Sequence, residues 1–256
     1  MKKYILLLGC IICLSFSIMK NKKIIPPGTI QITETFFVDE TEISNFSWLE
    51  YEWWTKSFYG ANSEEHLATL PDTLVWSLKD TYNEPYVKYY YRYKAYRDYP
   101  VVGISYEQAL AFCKWRTERV KQFYYMAHKK ELNIEYRLPT KDEWEMCSFP
   151  IGNNFNQQGK NEKPTLNYLR NERDTLGKAS IMIDNADVNA SVKSYSKNLF
   201  GLYNCFGNVA EMISEKGISK GGSWRNRLEE CRPGKDIAYD KPKAWLGFRC
   251  VCDVSR

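Results

Sequence analysis

Residues 220–234 read KGGSWRNRLEECRPG, and much of the chemistry open to this chain depends on them. Two glycines permit a tight turn that leads into Ser223. Cys231 follows eight residues after that serine, whereas Asn226 stands three residues after it. The stretch therefore raises the question of whether Cys231 belongs to a reactive thiol pair or serves structure alone.

Two helices upstream of this stretch have clear start signals. In PVVGISYEQALAFCKW, Ser105 and Gln108 have the spacing of a capping box. The apolar residues that follow recur at helical spacing and turn Cys113 inward. In YRLPTKDEWEM, Thr140 and Glu143 form a second capping box. A third helix is predicted for SNFSWLEYEWWTKSF, and residues 60–80 are predicted to be loop.

The remaining motifs predict short strands. They are NLFGLYNCFGNVAEM, ISKGGSW and WLGFRCVCDV, and alternation on a strand would place Cys250 and Cys252 on one face. The polar residues 150–198 are predicted to form a long surface excursion. Few regular elements and long loops indicate an α+β fold that is loop-rich.

Composition indicates one folded domain, residues 24–256. The chain has 256 residues, of which 44% are hydrophobic and 26% charged, so disorder is excluded. The net charge of +5 is spread along the chain, with no basic run that contains aromatic residues. Nucleic-acid binding is therefore not predicted.

Residues 1–23, MKKYILLLGCIICLSFSIMKNKK, predict an export signal. Leu7-Leu8-Gly9-Cys10 fits a bacterial lipobox, in which Cys10 would be acylated. A plain cleaved signal and a retained membrane anchor are the alternatives. All three place the rest of the chain outside the cytosol, where disulfides persist.

Residues 82–99 contain eight tyrosines. One interpretation is a tyrosine-faced binding surface for sugars. The favoured interpretation is an extended segment laid over the core with half-buried rings. The two histidines, His66 and His128, are predicted to be surface residues, and a three-histidine metal site is excluded.

The motifs PVVGISYEQALAFCKW, YRLPTKDEWEM, NLFGLYNCFGNVAEM, KGGSW and LGFRCV resemble, in this order, the formylglycine-generating-enzyme family, the sulfatase-modifying-factor domain. The resemblance covers roughly residues 26–254. It implies a variant of the C-type-lectin fold.

A narrower resemblance is carried by FFVDETEISNFSWLEY and by residues 70–117. These segments resemble the K-type lipoproteins, and their J-type relatives, of the gliding-motility and type IX secretion machinery of Bacteroidetes. That resemblance implies a periplasmic lipoprotein anchored in the outer membrane. It also implies assembly into a ring with a partner called the N component.

The family resemblance implies a copper(I) site of two cysteines, three and eight residues after the serine. Here Ser223 is followed by Asn226 and Cys231, and an amide is a poor ligand for a soft ion. Copper-dependent oxidase activity is therefore not expected, and the site is interpreted as degenerate.

The resemblance implies two further features. It pairs Cys113 with Cys250 in a disulfide and leaves the pairing of Cys147, Cys205, Cys231 and Cys252 open. It places a structural calcium ion at Asn208 and Glu211, with hydrogen bonds to neighbouring backbone as the alternative.

Arg249 in the motif GFRC is interpreted as a buried, paired guanidinium, and a ligand-binding residue is the alternative.

Three functions follow from these interpretations. The favoured one is a non-catalytic envelope scaffold of the secretion or gliding machinery. The second is an extracytoplasmic enzyme on the same fold. The third is a module that binds glycans or peptides through its loops.

Overall fold

Two small sheets and a set of helices organise residues 24–77, 84–149, 166–169 and 188–255, which the computed structural model describes. The expected export signal with Cys10 lies outside these residues. The helices are α1 (Asn45–Tyr59), α2 (Glu64–Leu67), α3 (Glu84–Tyr89), α4 (Tyr106–His128) and α5 (Lys141–Ser148). The strands are β1 (Thr29–Gln31), β2 (Phe36–Asp39), β3 (Ile134–Arg137), β4 (Ala210–Met212), β5 (Ile218–Lys220), β6 (Ile237–Ala238), β7 (Leu246–Gly247) and β8 (Val251–Val254).

Local signals fix where the long helices begin. Ser105 accepts a hydrogen bond from the backbone N–H of Gln108 at 3.2 Å, and the Gln108 side chain accepts one from the Ser105 N–H at 2.7 Å. Thr140 and Glu143 make the same reciprocal pair at the start of α5. Both predicted capping boxes are confirmed, since each satisfies two N–H groups that a helix start leaves free.

The first sheet has the strand order β1-β2-β8-β3 and is antiparallel throughout. The second has the order β6-β5-β4-β7, with β4 and β7 parallel. β5 ends at Lys220, directly before the glycine pair, and β4 carries Glu211. The second sheet therefore positions the residues of the candidate site.

The main core lies between the first sheet and helices α1 and α4. Trp48 of α1 stacks on Phe112 of α4 at 5.3 Å between ring centroids, and Phe248 meets Trp48 edge-on at 6.0 Å. Cys250 and Cys252 belong to this cluster, whereas Val251 faces a second one. The predicted alternation of the two cysteines is confirmed.

The predicted loop at residues 60–80 and the predicted extended tyrosine segment are wrong in part. Residues 60–77 include α2 and a 3₁₀ turn, Thr73–Trp76. The described part of the tyrosine segment forms α3 and a second 3₁₀ turn, Lys94–Tyr96. The Asn45 side chain holds the segment in place by donating to the carbonyls of Tyr90 and Tyr96.

The surface excursion predicted for residues 150–198 is wrong in part where the structure describes it, since residues 193, 194, 196 and 197 are exposed but several others are not. Asn167, Val188, Asn189, Ala190 and Val192 are buried. The α+β class is confirmed. Within the described ranges, no helix is long and apolar enough to cross a membrane.

Candidate functional site

The glycine pair after β5 packs directly against Cys231. Gly221 and Gly222 have φ values of +86° and +69°, a region that side chains strongly disfavour. A Cβ atom on Gly222 would lie 2.8 Å from the Cα atom of Cys231. The turn therefore requires glycine both for its conformation and for the close approach of the two backbones.

Ser223 and Asn226 close the turn with a side-chain hydrogen bond. The Ser223 hydroxyl donates to the Asn226 Oδ1 atom at 2.6 Å, and the Asn226 N–H donates to the Ser223 carbonyl at 2.9 Å. The Asn226 carbonyl in turn accepts from the N–H of Leu169 at 2.8 Å. Asn226 thus serves as a structural residue of the turn.

Cys231 is fully buried. Burial raises the pKa of its thiol to about 12, and the nearby Glu230 adds to this rise. Because the thiolate is the nucleophile and the metal ligand, the raised pKa disfavours reaction of this thiol near neutral pH. One buried thiol and one amide do not fit the pair of thiolates that copper(I) prefers, so the donor set at this loop does not fit that ion.

Arg249 and Glu211 form a buried ion pair beneath the site. Arg249 is 2% exposed, and its Nη2 and Nε atoms lie 2.6 and 2.7 Å from the two carboxylate oxygens of Glu211. The indole N–H of Trp144 donates to the same carboxylate at 2.8 Å, and Nη2 of Arg249 also donates to the Tyr203 carbonyl. The expectation of a buried, paired guanidinium is confirmed.

Asn208 lies at the start of the same chain segment in a left-handed conformation, with φ of 60°. Its amide donates to Glu42 at 2.8 Å and accepts from the N–H of Ala190 at 2.7 Å. The side-chain oxygens of Asn208 and Glu211 already accept hydrogen bonds from protein N–H groups, so a calcium ion there would have to bind oxygens that are in use. In the described part of the chain, no group of three or more His, Cys, Asp or Glu residues is placed to hold a metal ion. The calcium site stays a prediction.

Glu42 is a central residue that sequence reasoning missed. Its side chain is 1% exposed and accepts hydrogen bonds from the amides of Asn208 and Asn204, at 2.8 and 3.1 Å. Burial raises its pKa to about 8; Arg249 opposes this rise and Glu211 adds to it. In the sequence DETE it looks like an exposed acidic residue, so no local signal could have identified it.

The raised pKa of Glu42 predicts that the folded chain loses stability as the pH rises. Its carboxyl binds a proton in the folded chain up to about pH 8, whereas in the unfolded chain the pKa returns to its ordinary value of 4.5. The unfolded chain therefore binds fewer protons between these values, and stability falls with increasing pH. We expect the Glu42 contribution to the free energy of unfolding to drop by about 2 kcal/mol between pH 6 and 8.

Chemical denaturation of the wild type and of Glu42→Gln across this pH range measures the effect. The variant should show a flatter pH dependence than the wild type. Glu40→Gln is the matched control, since the pKa of Glu40 is lowered by Lys197 and Lys193 and its change should leave the slope intact. Equal slopes for wild type and Glu42→Gln would contradict the assignment.

The six described cysteines are all buried. The Sγ atoms of Cys113 and Cys250, which the resemblance pairs, lie 3.5 Å apart as thiols. A disulfide needs a separation of about 2.05 Å, so the bridge stays a prediction. The Asn198 amide contacts both the Cys147 carbonyl, at 2.8 Å, and the Cys205 sulfur, at 3.6 Å.

The prediction that His66 is a surface residue is wrong. Its side chain is buried, with Nδ1 2.6 Å from the Ala61 carbonyl and Nε2 3.6 Å from Glu52. Glu52 also accepts hydrogen bonds from Tyr91 and Arg92, which fasten the tyrosine segment to α1. His128 is exposed at the end of α4, as predicted.

Comparison with curated proteins finds formylglycine-generating enzymes. The one from Mus musculus is 25% identical over 190 residues, which cover 61% of this chain and 45% of that protein. The one from Thermomonospora curvata is 25% identical over 194 residues, which cover 61% of this chain and 56% of that protein. The chain thus spans about half the length of the curated relatives it matches.

Solved structures with a related chain path include CarF and PvdO from Pseudomonas aeruginosa. CarF is 15% identical, with 86% of this chain and 87% of that chain covered and a TM-score of 0.49. PvdO is 17% identical, with 62% and 63% covered and a TM-score of 0.43. The family model for the sulfatase-modifying factor enzyme 1-like domain matches residues 11–254. Because that match spans nearly the whole sequence, the chain belongs to the sulfatase-modifying factor enzyme 1-like domain family.

Proposed function

We propose that this chain is a non-catalytic member of its family that acts as a scaffold in the cell envelope. The observation that carries the proposal is the hydrogen bond between Ser223 and Asn226, at the position where the family resemblance implies a copper ligand. The other ligand position, Cys231, is buried beneath the glycine turn with a raised pKa. The glycine turn is held by hydrogen bonds, but its donor set does not suit the metal.

Two segments of the sequence support a role for the scaffold in a particular machinery. The resemblance of FFVDETEISNFSWLEY and residues 70–117 to K-type lipoproteins supports a component of gliding-motility or type IX secretion machinery. A ring partner like the N component, an outer-membrane anchor at Cys10 and a periplasmic location belong to this proposal. Neither copper nor another cofactor is needed for such a role.

Asn226→Cys tests the loss of the copper site. We expect the wild type to bind no copper(I) in competition with a chromogenic chelator, whereas the variant should bind one equivalent. Asn226→Ser is the matched control, because it alters the turn without adding a thiol. Stoichiometric binding of copper(I) by the wild type would overturn the proposal.

A pull-down at native expression level from detergent-solubilised envelopes tests the scaffold role. We expect mass spectrometry to recover ring or motor proteins of the secretion machinery. Recovery of the chain without partners would contradict a scaffold. Binding to peptidoglycan fragments in that case would favour a ligand-binding module.

A further inference from the structure

Helices α1 and α4 run side by side in the same direction. The centroid of Trp48 lies 5.3 Å from that of Phe112, and the centroid of Tyr51 lies 5.1 Å from that of Trp115. One turn further on, the guanidinium of Arg119 lies 4.1 Å from the ring of Trp54. The contacts advance along both helices together, so the C-terminal ends of α1 and α4 lie at the same end of the molecule.

This end carries apolar side chains that the core does not bury. We call them the aromatic face, and they are Trp54, Phe58 and Tyr59 of α1 with Phe123 and Met126 of α4. The exposed fraction is 68% for Phe58 and 69% for Phe123. Trp54 stacks on Phe58 at 5.0 Å, and Phe58 packs against Tyr59 at 4.8 Å. Contiguous exposed apolar groups of this kind mark interaction sites.

The end of α4 contributes less to the core than its first half, since its core contacts come from the partly buried Val120 and Tyr124. All buried residues of this helix lie between Ala109 and Thr117, and residues 118–128 contribute none. Phe123 and Met126 follow Arg119 at spacings of four and seven, so they continue the side of the helix that meets Trp54. The exposed Lys129 comes directly after the helix.

Basic side chains outnumber acidic ones at the end of α4. Residues 118–131 contain four positively charged and two negatively charged side chains: Arg119, Lys121, Lys129 and Lys130 against Glu118 and Glu131. Mixed apolar, aromatic and lysine side chains are typical of surfaces that lie at a membrane interface.

The described chain begins at residue 24 and soon contacts α4. The Pro27 carbonyl accepts a hydrogen bond from Arg116 of α4 at 2.8 Å. Pro27 also lines a cavity of about 350 Å³ together with Arg116 and Arg119, and Arg119 lies over Trp54. Residues 1–23 therefore join the domain on the side of Arg116, one helical turn before the arginine that contacts Trp54. These residues are largely apolar from position 4 to 19.

We propose that the aromatic face lies on the lipid bilayer that holds the N-terminal anchor of the chain. Its occupant is the interfacial layer of the membrane, where aromatic rings and methionine enter the headgroup region and lysines meet phosphate groups. The inference rests on the envelope location in the proposed function. It adds an orientation: α1 and α4 point their C-terminal ends at the membrane, and the glycine turn lies elsewhere on the domain.

Fluorescence quenching by spin-labelled lipid tests the orientation. The full-length chain carrying Phe123→Cys is labelled with an environment-sensitive fluorophore and reconstituted in phosphatidylcholine–phosphatidylglycerol vesicles. The six described native cysteines are buried, so the added thiol is the favoured target, and labelled wild type supplies the blank for Cys10 and Cys13. Leu199→Cys is the matched control, because Leu199 is 72% exposed but lies on neither helix. Phe58→Cys is a second probe of the face.

We expect lipid with a spin label near the headgroup to quench the probes at positions 123 and 58 at least about twofold, and the probe at position 199 hardly at all. If the chain floats with the vesicles but the probes at positions 123 and 58 are not quenched, the orientation is overturned, whereas the anchor is supported. Failure to float with the vesicles would overturn both the orientation and the envelope anchor. Blue-shifted emission at position 123 before vesicles are added would show that a second copy covers the face, which also overturns the proposal.

Discussion

Replacing Arg249 with methionine is expected to lower the free energy of unfolding by about 3–5 kcal/mol. The guanidinium is 2% exposed, and the substitution leaves the carboxylate of Glu211 buried without its counter-ion. The indole N–H of Trp144 remains as a donor to Glu211 but brings no charge. The loss is a large share of the 5–15 kcal/mol that stabilises a typical domain.

Chemical denaturation followed by tryptophan fluorescence measures this loss. Lys216→Met is the matched control, because Lys216 pairs with Glu107 at the surface, with both side chains more than 60% exposed. Exposed pairs contribute little, so the control should unfold as the wild type does. A similar small effect for both variants would show that the buried pair is not a main element of stability.

Reducing the predicted disulfide between Cys113 and Cys250 is expected to lower the free energy of unfolding by about 4–5 kcal/mol. The two cysteines are 137 positions apart, so the bridge would restrict a long loop in the unfolded chain. It would also join the middle of α4 to the residue before β8, and both sulfurs lie inside the main core. We expect denaturation curves of the purified chain with and without reductant to differ by this amount.

A double variant, Cys113→Ala with Cys250→Ala, is the control for this experiment. Its free energy of unfolding should be lower than that of the oxidised wild type, and reduction should not lower it through these two positions. Comparison with Cys231→Ala shows whether any remaining sensitivity comes from other thiols. Peptide mapping under non-reducing conditions must then find Cys113 and Cys250 in one linked species, and a free thiol at Cys113 would refute the bridge.

The features that could be predicted from the sequence depend on neighbouring residues. The capping boxes at Ser105 and Thr140 act within four residues, so the pattern alone locates the two helix starts. Alternation likewise placed Cys250 and Cys252 on one face of a strand. Asn226 could be recognised because the family resemblance implies a cysteine three residues after the serine, where this chain has asparagine.

The features that could not be predicted depend on partners far away in the chain. Glu42 is buried because Asn204 and Asn208, more than 160 positions later, supply its donors. His66 is buried because α2 packs against α1, which brings its Nε2 atom to 3.6 Å from Glu52 on that earlier helix. Neither residue carries an apolar or periodic pattern, so only the assembled fold shows their roles.

The position of β8 in the first sheet has a consequence for how the chain is produced. β2 and β3 do not pair with each other, since β8 lies between them and bonds to both. The sheet that supports the main core therefore cannot close until residues 251–254 have been synthesised. Until then β2 and β3 lack the strand that joins them, and their unpaired edges are open to chaperones and to aggregation. A prematurely terminated chain would lack the central strand and would be left as a substrate for proteases.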